Sequence, residues 1–300
     1  MTTQARRPNT GDRAGWRFYT LAPALTVYGL LALLPILNLL VMSVYDIHWQ
    51  QGVAHWRFIG LQSFAAMPQD PLVRAGAVNT VLFAFLSVSA EMIIGLALAL
   101  FVSRVVRGRV LYRTIFLLPI LIPGIVIGAI WKLMYSADFG IINQLLGVIG
   151  IPGPDWLGSG NLAFLSVVIV DVWHWTPFVF LLLLAGVESL PQDLFEAARM
   201  DGAGVWQELR YITFPMLLPT FIVTLAFRLI VSFKVFDEVY LLTGGGPGTA
   251  TEVISFTIYR RFFTEDRMGY GSAISVVTLF VLTLIIVLGM GAARRRERTA

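Results

Sequence analysis

Apolar positions in this chain come in long unbroken runs, with few of the alternating or short amphipathic patterns of a soluble core. Six runs approach the roughly 20 residues that a helix needs to cross a bilayer: Leu21–Tyr45, Val78–Ser103, Leu111–Tyr135, Leu162–Val187, Phe214–Phe236 and Tyr270–Gly291. The pattern predicts an all-α, polytopic membrane protein. Its six transmembrane helices fill residues 21–291, between an N-terminal segment 1–20 and a tail 292–300. The connecting segments leave no room for a separate soluble domain. The first run is too long for a signal-peptide core and no small-residue cleavage site follows it, so it reads as a retained span. No internal repeat is evident.

One polar connection, residues 188–213, is more than a soluble tether. Leu190, Leu194, Ala197 and Ala198 fall at helical spacing, and Val205, Leu209 and Ile212 repeat the pattern. Ser189 with Gln192 fits a capping box, Pro191 fits a first helical turn, and Gly202 stands where a left-handed residue ends a helix. The segment reads as a helix–turn–helix lying against the membrane, one side apolar and one charged: a docking element.

This stretch, EAARMDGAGVWQELRYITFPMLLP, resembles the EAA loop in the permease subunit of binding-protein-dependent ABC importers. Glu196, Ala197, Ala198, Asp201, Gly202, Ala203, Ile212 and Pro215 match the family pattern. Leu209 stands where Phe is common and Phe214 where Leu is common, both swaps keeping an apolar side chain. The spacing and the place before the penultimate span both agree. The resemblance implies the type I importer permease fold, with this loop seated in a groove of a cytoplasmic ATPase.

Composition and charge sharpen the picture. The chain is 57% hydrophobic and 13% charged, against about a quarter charged for a soluble domain. Of 22 Lys and Arg, 14 fall in segments that are cytoplasmic if the N-terminus is inside, and 5 fall in external ones. This obeys the positive-inside rule. It predicts a multi-pass plasma (inner) membrane protein with both termini cytoplasmic. The net charge of +4 is thus a topology signal, and the scattered arginines do not suit nucleic acid. With no cysteine, thiolate chemistry and Cys-based metal sites are excluded.

Energy must come from elsewhere. A P-loop needs Lys directly after Gly, but Lys132 follows Trp131 and Lys234 follows Phe233. The chain is therefore no ATPase by that route and binds no cofactor itself. ATP and Mg belong on a partner, an ABC ATPase dimer for which the 188–213 loop is the transmission.

The fifth run ends in FDEVYLL, followed by TGGGPGT. Alone, three glycines before a proline mean a flexible loop, and residues 243–251 are expected to stay mobile until a binding protein or the channel mouth orders them. Beside the EAA-like loop, YLLTGGGPGTATE resembles the external segment of sugar-uptake permeases. It is closest to the longer member of maltose-type and glycerol-3-phosphate-type pairs. Glu91 before Gly95-Leu96-Ala97-Leu98-Ala99-Leu100 also fits that family's second span. The resemblance runs from about Tyr19 to Met290 and is diffuse outside the two motifs. It implies a second, different permease and an extracytoplasmic solute-binding protein.

Charges inside spans are costly and face a partner or a water-filled path. Asp171 and Arg228 both lie roughly 12–14 Å inside the outer boundary at 1.5 Å per residue, so an ion pair is geometrically possible. Asp171, His174, Trp175 and Phe178 share one helical face, and Pro177 frees the Trp173 carbonyl. Carboxylate, imidazole and indole suit a sugar, and the substrate path is assigned to Asp171, Trp173, His174, Trp175, Arg228, Lys234 and Asp237. The bland alternative is structural pairing of Asp171 with Trp173 and Trp175 on lipid. Lys132 and Lys234 can also snorkel to the interface, and Lys234 can pair with Asp237 or Glu238. Glu91 reads as a helix-packing hydrogen-bond partner. His48, His55 and Asp46 sit among Trp49 and Trp56, more an interfacial aromatic belt than a metal site.

The leading function is an importer permease for a sugar or sugar-like solute. The alternative is an ion-coupled secondary transporter using Asp171, His174 and Glu91; broken helices in inverted repeats would favour it, and none is evident in the sequence. A membrane-embedded enzyme would need a clustered nucleophile or metal set that the three histidines do not provide.

Overall fold

In a computed structural model, residues 10–103 and 109–297 are described. In chain order they form α1 (Thr10–Met42), a hairpin of β1 (Tyr45–Gln50) and β2 (Val53–Phe58), α2 (Gln62–Ala66), α3 (Pro71–Ser103), α4 (Arg109–Leu117), α5 (Gly124–Met134) and α6 (Ile141–Val148). Then follow α7 (Gly160–Glu188), α8 (Gln192–Met200), α9 (Val205–Glu208), α10 (Phe214–Ser232), α11 (Asp237–Leu242), α12 (Ile254–Tyr259) and α13 (Met268–Glu297). Among the described residues, five helices are long and apolar enough to cross a bilayer, and a bent pair supplies a sixth span.

Two spans depart from the expectation of continuous helices. The third run bends by 99° between Thr114–Leu121 and Gly124–Met134. Pro119 and Pro123 cause the break, because neither offers an N–H and each clashes with the preceding turn. The run stays apolar throughout, so hydropathy hides the bend. The fifth run stops as a helix at Ser232 and restarts at Asp237, where Asp237 and Glu238 place negative charge on the new first turn. The first run also ends early, at Met42. Tyr45 instead opens the hairpin, closed by Gln51 (φ +51°) and Gly52 (φ +80°), the positive-φ pair that suits a two-residue turn.

The molecule is built around α3 packed along α7. Gly95 lets the two backbones meet: a Cβ there would stand 2.6 Å from Val179 Cγ1. One buried cluster near the hairpin end holds Phe83, Ile127, Val167, Val170 and Val239. A second, toward the other end, holds Met92, Phe180, Leu183 and Leu217. α1 leans on α13 and β1, and none of its apolar window is buried within the chain.

The segment after α11 is not the loose loop expected. Gly244, Gly245 and Gly248 take φ of +59°, +86° and +62°. Their freedom lets the chain fold back so that the Thr251 hydroxyl meets the Thr243 hydroxyl at 2.6 Å and donates to the Gly246 carbonyl at 2.8 Å. Asn79 Nδ2 on α3 reaches the carbonyls of Thr249, Ala250 and Glu252 at 2.9, 3.2 and 2.9 Å. Contacts within this chain hold the segment.

Candidate functional site

The buried charges form one cluster across three helices. Arg228 on α10 gives Nε and Nη2 to Glu91 of α3 at 2.5 and 2.6 Å, and Nη2 also to Asp171 of α7 at 3.0 Å. All three are buried, Arg228 completely. The Asp171–Arg228 pair that equal depth allows is present, and Glu91 is the packing partner the sequence suggests, with Arg228 as its donor. Trp175 lies over the guanidinium, 4.6 Å from ring centroid to Cζ.

Beside this cluster is a cavity of about 310 Å³, at the level where both interrupted spans break. Gly124 opens it on one side, and Lys234, Val235, Phe236, Asp237 and Glu238 line the other. Asp171, His174 and Trp175 of α7 form the wall between. Irregular backbone within a membrane is tolerated where it lines such a space. His174 Nδ1 stands 3.2 Å from Glu238 Oε1, so the imidazole is oriented by a carboxylate from the broken fifth span. Gly124 and Gly128 seat α5 on α11, since a Cβ at either would lie 2.8 Å from Asp237 Oδ2 or Leu241 Cβ.

One residue assigned to the path, Trp173, takes another place. Trp173 points away from the cavity, edge-on to Trp131 with centroids 5.6 Å apart, and lines an apolar groove with Ile169 and Pro177. Phe178 packs on Phe227 at 4.7 Å. Lys234 forms no ion pair with Asp237 or Glu238 among the described residues, and it lines the cavity instead. Asp46 is occupied on both oxygens, by His48 Nε2 and Arg57 Nη2 at 2.9 Å each.

The 188–213 segment holds an α-helix and a turn, with two corrections. Pro191 precedes α8, and Ser189 donates to the Gly186 carbonyl at 2.7 Å, so no capping box forms there. The second pattern is not a free helix: α9 runs through a π-helical turn, Leu209–Thr213, straight into α10. Gly202 does end α8 at φ +82°. Its N–H bonds the Arg199 carbonyl at 3.0 Å, and the Ala203 N–H bonds that of Ala198 at 2.9 Å. This paired closure is the Schellman motif. Arg199 Nε then ties α8 to buried Glu208 at 2.8 Å. Glu196, Ala197 and Asp201 are exposed, and Ala198, Ala203 and Ile212 are half-buried. Pro215 opens the first turn of α10.

The chain matches, over residues 91–299, the sequence profile of the binding-protein-dependent transport system inner membrane component. The chain belongs to this family. The permease is 39% identical to the trehalose/maltose transport system permease protein MalF of Thermococcus litoralis, over 93% of this chain and 94% of that one. It is 33% identical to a probable starch degradation products transport system permease, AmyD of Thermoanaerobacterium thermosulfurigenes, over 94% and 95%. A solved chain of a bacterial ABC transporter involved in importing the acidic polysaccharide alginate superposes with TM-score 0.82 at 25% identity, covering 94% of this chain and 96% of that one.

Sequence reasoning missed some of the permease's features. Met200 and Trp206 are 88% and 71% exposed on the 188–213 loop. Their polar neighbours hid them from a periodicity argument. Glu238 was seen only as a possible mate for Lys234, because its contact with His174 spans 64 positions.

Proposed function

We propose that this permease passes a sugar or sugar-like solute from an extracytoplasmic binding protein across the plasma membrane. Its α8 loop sits on a cytoplasmic ATPase dimer that carries the ATP and Mg, and both termini lie on that side. A second, different permease completes the path; the bare faces of α1 and the open cavity support this. The sugar assignment draws on the names of the relatives and on the imidazole, indole and carboxylates around the cavity. Asp171, His174, Trp175, Lys234 and Asp237 are its solute-facing groups, and Arg228 holds Asp171 in place from behind. Glu196, Asp201 and Gly202 belong to the ATPase contact.

One observation carries the coupling. The wall bearing Asp171 and His174 is α7, which runs directly to Ser189 and the loop, and the opposite wall is the Lys234–Glu238 break, joined to the loop through α10 and α9. Displacing the loop therefore moves both walls, the two-state arrangement that alternating access needs. An ion-coupled carrier is disfavoured because Arg228 engages both Glu91 and Asp171, while His174 is tied to Glu238.

The test is ATP hydrolysis by the purified complex with its binding protein over a panel of sugars. Stimulation by a sugar is expected. His174→Ala should weaken transport at least tenfold, and Trp173→Ala should change it less than twofold. Stimulation by a non-sugar solute alone would refute the sugar assignment.

A further inference from the structure

Helix α8 is the part of the chain that a moving ATPase would push, yet this chain holds it loosely. It buries none of its nine residues. At its start the backbone joins it to α7 through Leu190, which is buried. At its end the chain passes to α9 through Gly202, Ala203 and Gly204. A Cβ at Gly202 would touch nothing, and one at Gly204 would meet only Gln207 Oε1, at 3.8 Å. Two glycines with open space beside them make a soft joint, because glycine has the widest choice of backbone angles. A push on α8 therefore reaches α7 directly, but the joint absorbs it before α9 unless something spans the gap.

A side-chain contact spans it. Arg199, in the last turn of α8, gives its Nε to Glu208 Oε1 at 2.8 Å. Glu208 ends α9 and is only 5% exposed. We infer that Arg199 and Glu208 form a strut that carries the movement of α8 across the glycine joint into α10, so that both walls of the cavity shift together. This rests on the reading of the 188–213 loop as the ATPase contact.

The pair differs from an ordinary surface ion pair. Exposed pairs contribute little, because water screens them and both side chains lose freedom. Here one partner is fixed inside the protein, and a charge-assisted bond to it is short and directional. Glu208 is also placed to pass the force on. The Thr213 hydroxyl donates to the Glu208 carbonyl at 3.3 Å across the π-helical turn Leu209–Thr213, and α10 follows at once. α10 runs to Ser232, and the Lys234–Glu238 stretch of the cavity lining lies just beyond it. The strut thus acts on the cavity through α10, which makes Arg199 and Glu208 positioning residues for transport. The Gly204 N–H bonds Gln207 Oε1 at 2.8 Å, a contact within the first turn of α9 that leaves the joint itself unspanned.

The experiment uses the complete importer with its binding protein in proteoliposomes supplied with ATP, and a solute that the wild type takes up. It reads solute transported per ATP hydrolysed. The variants are Arg199→Met alone, and Arg199→Met with Glu208→Gln, which removes the buried charge together with its partner. Both should lower the ratio at least about fivefold, the lower end of the usual coupling between sites, while the ATPase co-purifies as with wild type. Arg199→Lys, which keeps a cation on α8, should retain the wild-type ratio. Wild-type ratios in both variants would overturn the strut. Recovery in the double variant would do the same, since the buried charge, rather than the lost tie, would then be at fault. So would loss of co-purification in Arg199→Met, by showing that Arg199 holds the ATPase itself. The Arg199 side chain is 66% exposed, so Arg199→Met is expected to assemble. Should the double variant fail to, Arg199→Glu, which repels Glu208, takes its place and must uncouple at least as strongly as Arg199→Met. A wild type that shows no ATP-dependent uptake of any solute would sink the transport reading itself, and the strut with it.

Discussion

Arg228 and Glu91 stand 137 residues apart in the chain and share a two-pronged ion pair, with N–O distances of 2.5 and 2.6 Å. Asp171 takes the remaining reach of the same Nη2 at 3.0 Å. One guanidinium thus ties α3, α7 and α10 together beside the cavity.

Removing that guanidinium leaves two carboxylates buried without a partner. Arg228→Gln should cost about 3–5 kcal/mol, the usual penalty for breaking a buried pair, and lower both membrane yield and thermal stability in detergent. Asp171→Asn should be milder, because Arg228 keeps Glu91. A charge swap, Asp171→Arg with Arg228→Asp, would restore a simple pair, but here it sets a new carboxylate against Glu91. The swapped protein is expected to be no more stable than Arg228→Gln; recovery to near wild type would show that Glu91 contributes little.

At the other end, Glu196 is exposed on α8, and Gly202 ends that helix at φ +82°. Glu196→Lys should leave the permease inserted but reduce ATPase co-purification at least tenfold. Gly202→Val meets a left-handed backbone that costs a non-glycine residue roughly 1–2 kcal/mol. It should uncouple ATP hydrolysis from uptake without emptying the membrane of protein. Normal uptake with normal co-purification in both variants would remove this loop from the ATPase contact.

The glycine-rich segment should be protected in the isolated permease. The Thr251 N–H bonds the Gly245 carbonyl at 3.2 Å and the Ala250 N–H bonds that of Pro247 at 3.1 Å. Hydrogen exchange at both amides is therefore expected to be slow without any binding protein. Gly245→Ala should abolish the protection, because a Cβ there would lie 2.4 Å from Glu252 Oε2 and 2.9 Å from the Phe256 ring. Fast exchange at Thr251 in the wild type would restore the idea of a loop ordered only by docking.

Near the hairpin end, Asp70 is gripped by Arg261 Nη2 at 2.8 and 2.6 Å and by the Tyr270 hydroxyl at 3.0 Å. Burial opposes its ionisation, but the Arg261 bonds, the Leu72 N–H and Tyr270 outweigh it and hold the carboxyl below the usual value of 3.8. A lowered carboxylate stabilises the fold above pH 3.8 and loses that contribution as pH falls through its folded value. The stability gap between wild type and Asp70→Asn should be constant from neutral pH to about 4 and shrink below it. Melting curves across that range decide the matter; a gap independent of pH would mean that the charge is irrelevant.

The sequence by itself determined the membrane-spanning class, the runs that make the spans, and the amphipathic 188–213 loop with its left-handed exit at Gly202. These are local properties: hydropathy summed over a helix length, the Glu196–Ala203 spacing, and a backbone angle that glycine meets at no steric cost. It also found Asp171, Arg228 and His174 as costly polar groups in apolar surroundings. Only the tertiary structure decided what they face. Trp173 and Trp175 are two residues apart, yet one looks onto an apolar groove and the other onto Arg228, because successive helical positions differ by about 100° and the neighbours decide which side is the cavity. The breaks at Pro119–Pro123 and Phe233–Phe236 were invisible to hydropathy averaged over a helix length, which two prolines or the single Lys234 barely lower. The grip of Asn79 on three carbonyls turned an entropically loose glycine run into a fixed cap. Such contacts depend on atoms that chain spacing leaves far apart, and packing alone brings them together.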